Sequence, residues 1–186
     1  MKLKRMMMLG MVLVGASAIA GAGAMSVSAQ SHEFIANKTG KTKGKGETQY
    51  FKTSSGTIEC KKVTGSGEIT SLKSATHKEV LQFEECTGFG KLLEISPAYF
   101  EFNADGPATL EKRVTIKSEA LTCQIRIEPQ TVESLGYENA SGDLKSNASI
   151  TNVKIAGTGG LCGGAGEASY SGTIQAELEG GKLEWK

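Results

Sequence analysis

The stretch of this chain that most resembles a chemical site is GTGGLCGGAGE, Gly157–Glu167. Six of its eleven residues are glycine, and Cys162 sits in the middle. A phosphate loop of the G-x-x-x-x-G-K-[ST] kind needs a lysine to reach the phosphates and a helix to follow. No lysine follows these glycines, and the next residues read as a strand. A dinucleotide fingerprint G-x-G-x-x-G also fails, because counting from Gly157 and Gly159 its last position falls on Cys162. The glycines are therefore read as backbone freedom around a cysteine that must reach a core partner. The loop is expected to be anchored only at Cys162.

Carboxylate chemistry has more material. There are 20 acidic side chains, and only Asp105 and Asp143 are aspartate. Two carboxylates some 5–10 Å apart can hydrolyse a glycosidic bond. The adjacent pair Glu84–Glu85 is expected to point to opposite faces of a strand, and Glu101 and Glu128 to alternate outward as solvated charges. His32 near the mature N-terminus and His77 in a polar loop read as ordinary exposed histidines. Neither clusters with further ligands as a zinc site requires, and two aspartates are too few for a calcium loop. Tyr99, Tyr137 and Trp185 could form a sugar platform but read more simply as packing residues. No catalytic residue, metal site or cofactor site is expected.

The chain's first residues look like an address. Lys2, Lys4 and Arg5 precede an apolar run to about Ala24, and Val27–Ala29 supplies small residues before a cut. That is the pattern of a secretory signal peptide over 1–29. The run is broken by five glycines and serines, so it would make a poor permanent membrane span. Removing it leaves residues 30–186 as one domain. It also takes away three of the 21 basic side chains, leaving 18 against 20 acidic ones and a net charge near −2. That balance gives no drive toward nucleic acid or anionic membranes. Lys38, Lys41, Lys43 and Lys45 form the one basic run, read as a solvated strand or N-terminal arm. With no second long apolar segment, no membrane span is expected after cleavage.

Cys60, Cys86, Cys123 and Cys162 all lie in the mature part, an even count that suits an exported, disulfide-bonded chain. No C-x-x-C pair is present, against a zinc ribbon or thioredoxin-type motif. Cys123 points inward on an alternating strand, and Cys162 reaches it at low backbone cost. Cys60 shares the inward face of Ile58, and Cys86 lies on a neighbouring strand. The expected bridges are Cys60–Cys86 and Cys123–Cys162.

The elements that must position these residues have a period of two. In LTCQIRIE, Leu121, Cys123, Ile125 and Ile127 share a face; in YSGTIQAEL, Tyr170, Ile174, Ala176 and Leu178 do. Shorter strands read at 49–52, 57–63, 80–83, 99–102, 114–117 and 150–155, with Leu183 and Trp185 closing a last one. Turns are placed at Ser54–Gly56, Gly65–Glu68, Asn103–Pro107 and Ala140–Asp143. The segment before Val80 is read as loop. Eight to ten such strands without an amphipathic helix predict a single all-β domain, a β-sandwich or Greek-key barrel.

The order of HEFIANKTG, FKTSSGTIECKKVTGSGEI, FEECTGFGK, LTCQIRIEPQ with LGYEN, a glycine-flanked cysteine and YSGTI resembles a family of small exported β-proteins of soil actinobacteria. The resemblance covers most of the mature chain and implies an exported, disulfide-bonded β-domain with no assigned catalytic residue. The segment between Gly90 and Asn103 lacks a cysteine associated with some members, which implies fewer bridges here. The function expected is binding or a structural role outside the cell or at its envelope, toward an extracellular or cell-surface ligand. The rival expectation is a secreted polysaccharide hydrolase using glutamates.

Overall fold

Strands account for almost every element of the computed structural model, which describes residues 31–133, 135–158, 162 and 164–186. In chain order they are β1 Phe34–Ala36, β2 Gly40–Gly46, β3 Gln49–Thr53, β4 Gly56–Ile69, β5 Lys73–Ser74, β6 Thr76–Gly88, β7 Lys91–Ile95 and β8 Ala98–Asn103. There follow β9 Ala108–Leu110, β10 Val114–Ser118, β11 Cys123–Ile127, β12 Gln130–Val132, β13 Leu135–Ala140, β14 Asp143–Thr158, β15 Gly166–Leu178 and β16 Leu183–Trp185. One short 3₁₀ turn, Glu119–Leu121, precedes β11. It takes in Leu121, which the alternation assigns to the strand; the left-handed backbone at Thr122 (φ 47°) separates the two. The proposed signal segment 1–29 lies outside the described residues. Residues 31–186 form one compact unit.

Every strand pairing is antiparallel, and the pairings close on themselves. At one end the order β3–β4–β6–β7–β10–β11–β14–β15 returns to β3, because β4 pairs with β6 and β15 with β3. This circuit is a barrel, and closure removes its sheet edges. At the other end the same long strands continue into an open order, β13–β14–β15–β2–β4–β6–β8–β9–β12. A small sheet, β16–β1–β5, caps that end. The N- and C-terminal strands thus lie side by side, with Glu33 and Lys186 exchanging backbone hydrogen bonds of 2.7 and 3.0 Å. Phe34 and Leu183 plug the core beneath the cap.

Turn chemistry explains the hairpins. Phe89 and Gly90 both have positive φ between Gly88 and Lys91, as do Ser141 and Gly142 between Ala140 and Asp143. Such primed turns match the twist of paired strands. The sequence reading is corrected at Gly65–Glu68, which forms no turn but lies within β4. Three lysines of the basic run, Lys41, Lys43 and Lys45, point outward from β2, with Glu68 on β4 opposite Lys41 and Glu177 on β15 opposite Lys43. Strand β6 begins at Thr76, not Val80, so His77 belongs to a strand and not to a loop.

The buried side chains fall into two clusters. The cap-end core includes Phe34, Val63, Leu81, Phe102, Leu178 and Leu183. The barrel-end core includes Phe51, Ile58, Ile116, Ile125, Ile155 and all four cysteines.

Candidate functional site

Both expected disulfides are present. Cys60 and Cys86 face each other directly across β4 and β6. Cys123 on β11 joins Cys162 in the glycine-rich connection, and all four sulfurs lie within the barrel-end core. No cysteine is left as a thiol. Of the connection itself, residues 159–161 and 163 lie outside the described residues. A strand, β15, begins at Gly166, as the sequence pattern requires.

Between the two cores the inward rows of side chains change step. On β4 the inward residues run Ile58, Cys60, then Val63; on β6 they run His77, Glu79, Leu81, Phe83, then Cys86. The link from β2 to β3 does the same, passing from Gly46 to Gln49. These three skips stand in register, since Val63 pairs with both Gly46 and Phe83, and Cys60 with both Gln49 and Cys86. A fourth skip falls two rungs along, between Ile150 and Val153 on β14, where the register with β15 shifts. Left-handed backbone at Glu85 (φ 53°) and Asn152 (φ 61°) marks two of the skips. The three matched skips keep their register, each strand adding the same extra residue, and only the β14 skip is a bulge against its partner.

The result is a waist at which several neighbouring strands withhold an inward side chain together. A cavity of about 80 Å³ occupies it, with walls almost wholly apolar. Cys60, Phe83, Ile150 and Val153 from the skips line it, with Ile116 and Val114 from across the barrel. A void of that size, left empty, costs about 2 kcal/mol. The skip also settles Glu84 and Glu85. Both fall outside the inward row, and Glu84 accepts a 2.6 Å ion pair from Lys62.

A second feature lies toward the cap. His77 and Glu79 are each only 4% exposed. This corrects the reading of His77 as an exposed loop residue. Both ring nitrogens of His77, Glu79 Oε1 and Thr42 Oγ1 are buried without a hydrogen-bond partner. Burial lowers the His77 pKa to about 4 and raises that of Glu79 to about 7. Glycines on β2 and β4 make the room. A Cβ at Gly44 or Gly65 would stand 2.5 or 2.2 Å from Glu79 Oε1. One at Gly67 would crowd both Thr42 and His77. The carboxyl therefore lies flat over bare backbone, in a slot only glycine leaves.

The outer face of the same strands forms a cleft of about 740 Å³, with Ser66, Glu68, Lys78, Tyr99 and Glu111 among its lining. Outward and inward residues alternate on these strands; His77 and Glu79 belong to the inward row, yet both also border this cleft. Two outward carboxylates here are in surface ion pairs: Lys78 bridges Glu101, at 3.2 Å, and Glu111. Glu128 likewise pairs with Arg113 at 2.8 Å. Among the described residues no group of three His, Cys, Asp or Glu side chains could hold a metal ion.

Of the aromatic candidates Tyr137 and Trp185 adjoin, with ring centroids 6.1 Å apart. Lys112 sits 3.8 Å over the Tyr99 ring. Tyr137 is buried edge-on to Phe34, and burial pushes its phenol pKa up. Trp185 donates its indole N–H to Ala104 O and stacks on His32, whose Nδ1 meets Asp105 at 3.0 Å. His32 thus ties the N-terminal end of the domain to the cap.

Sequence reasoning missed Glu79, His77 and the waist. The first two were legible in principle, because His77, Glu79, Leu81 and Phe83 alternate in step. Glycines spaced by two in both β2 and β4 also mark a row waiting for a large side chain opposite. The site and fold together define a disulfide-braced antiparallel barrel with an apolar cavity at its waist. No protein-family model, no curated protein and no solved structure matches the chain. Among the described residues no helix is long and apolar enough to cross a membrane.

Proposed function

We propose that the chain is an exported, non-catalytic β-domain that acts by binding, outside the cell or at its envelope. The observation that carries this reading is the waist cavity, walled by apolar side chains and bordered by β4, β6 and β14, which step past it. Two buried disulfides support an oxidising destination. The resemblance to exported β-proteins of soil actinobacteria points the same way. Secreted material should begin at Gln30, after the cut that follows Ala29, or at Met25 by the shorter cut; a retained Met1 in membranes would count against export.

The hydrolase reading draws on one observation, the raised pKa of the Glu79 carboxyl. Glu79 borders the outer cleft but is only 4% exposed, and burial alone raises its pKa, without the neighbouring carboxylate that glycoside hydrolysis pairs with it. Incubating the oxidised mature domain with cell-wall and plant polysaccharides tests the choice. No release of reducing ends is expected. Hydrolysis that disappears in Glu79→Gln, with the fold intact by circular dichroism, would replace binding by catalysis.

A further inference from the structure

We infer that the waist cavity is the binding site for the end of an unbranched hydrocarbon chain, an inference that rests on the domain being a binding protein. Its walls leave a guest nothing polar to bond. The polar residues that reach them are occupied: Tyr170 donates its hydroxyl to Gln49 Oε1 at 2.7 Å, and Gln49 Nε2 donates to the carbonyls of Glu47 and Thr173. At the other side Gln130 Nε2 donates to the carbonyls of Glu128 and Lys154, and its Oε1 accepts from the Lys154 amide. A roomy site without free polar partners stays dry and takes apolar guests.

Size and access narrow the class. The space of about 80 Å³ is roughly half the ~150 Å³ that accommodates benzene or xenon. It holds a few methylenes, so the remainder of a longer molecule must extend through an opening. The sheet supplies one at β6. That strand pairs with β8 up to Leu81 and with β7 only from Cys86 onward, so its edge is bare over 82–85. From this fork the branches β7–β10–β11 and β8–β9–β12 separate. Half-buried Ile95 and Ile127 on one branch, and Phe100 and Val132 on the other, line the cavity at this divide. An apolar slot leading to an apolar pocket suits a flexible chain that inserts end-first.

The test is a titration of the oxidised mature domain with sodium decanoate, followed through isoleucine methyl resonances. Saturable shifts at Ile58, Ile116 and Ile150 are expected. Ala98 lines the cavity and is buried, so Ala98→Leu should fill it and weaken decanoate at least tenfold. Val114→Ile, a smaller filling change, should weaken it several-fold and guards against misfolding of the first variant. Shifts confined to exposed residues such as Leu92, no saturation, or wild-type affinity in both variants would overturn the assignment. Such a failure would leave the binding reading standing, whereas polysaccharide hydrolysis dependent on Glu79 would remove that reading whatever decanoate does.

Discussion

The two ends of this molecule solve the same problem by different means. The barrel end closes its strand circuit, and both cystines lie in its core, one between β4 and β6 and the other between β11 and the glycine-rich connection. The cap end has an open strand order. It is closed by a three-stranded sheet of β1, β16 and the short internal β5, and it buries His77 and Glu79 with unpartnered polar atoms. One end is covalently braced; the other relies on a plug of side chains and buries an imidazole and a carboxyl. The waist lies where they meet. A single small domain can thus keep a rigid half and a more easily opened half on the same long strands.

The largest effect expected from breaking this comparison is at the plug. Phe34→Ala should cost about 3–5 kcal/mol, the range for emptying a buried aromatic position. Urea unfolding measures it, and hydrogen exchange should show the cap-end strands opening first. Next come the cystines. Their loops span 26 and 39 residues, for which chain entropy predicts about 3–4 kcal/mol each. Cys60→Ala/Cys86→Ala and Cys123→Ala/Cys162→Ala should therefore each lower stability by that order. Protection should fall mainly at the barrel end, reversing the pattern of the plug variant.

The buried pair gives a smaller, pH-dependent effect. A carboxyl raised from 4.5 to about 7 by folding holds its proton in the folded state where the unfolded state has lost it. Its contribution is fully present below pH 4.5 and is lost as pH rises to 7, by about 3 kcal/mol. His77, lowered from 6.5 to about 4, acts in the opposite sense: its contribution is present above pH 6.5 and lost as pH falls through 4. The two slopes offset between about pH 4.5 and 6.5, so stability there should be nearly flat. Glu79→Gln should leave only the histidine slope, with stability rising from pH 4 to 6.5 in urea titrations and a gain of up to about 3 kcal/mol at pH 8.

Much of the barrel end and little of the waist could be read from the sequence, for a physical reason. Strand β15 keeps Ala168, Ile174, Ala176 and Leu178 on one row without a break, and β11 does so for Cys123 and Ile125. Constant period exposes such strands and the cysteines on them. Strands β4, β6 and β14 each lose step once, so a single alternating pattern cannot span them, and their outlines read as shorter pieces. Gly65 and Gly67 looked like turn residues because glycine ordinarily punctuates. Here it makes space for Glu79 on the strand opposite, a demand that appears only once β4 and β6 are paired.

The smallest predicted effect sharpens the boundary between the halves. Glu85 carries left-handed backbone at one of the skips. Glycine adopts that conformation without the side-chain penalty, so Glu85→Gly should raise stability by up to about 1 kcal/mol, read as a shifted urea midpoint.

The waist itself is tested most directly by xenon, which needs no polar contact and enters dry cavities. Under xenon pressure the methyl resonances of Ile58, Ile116 and Ile150 should shift and saturate, while those of Leu178 and Leu183 beneath the cap stay in place. Shifts centred on the cap-end leucines, or none at any buried methyl, would contradict an apolar cavity between the two cores.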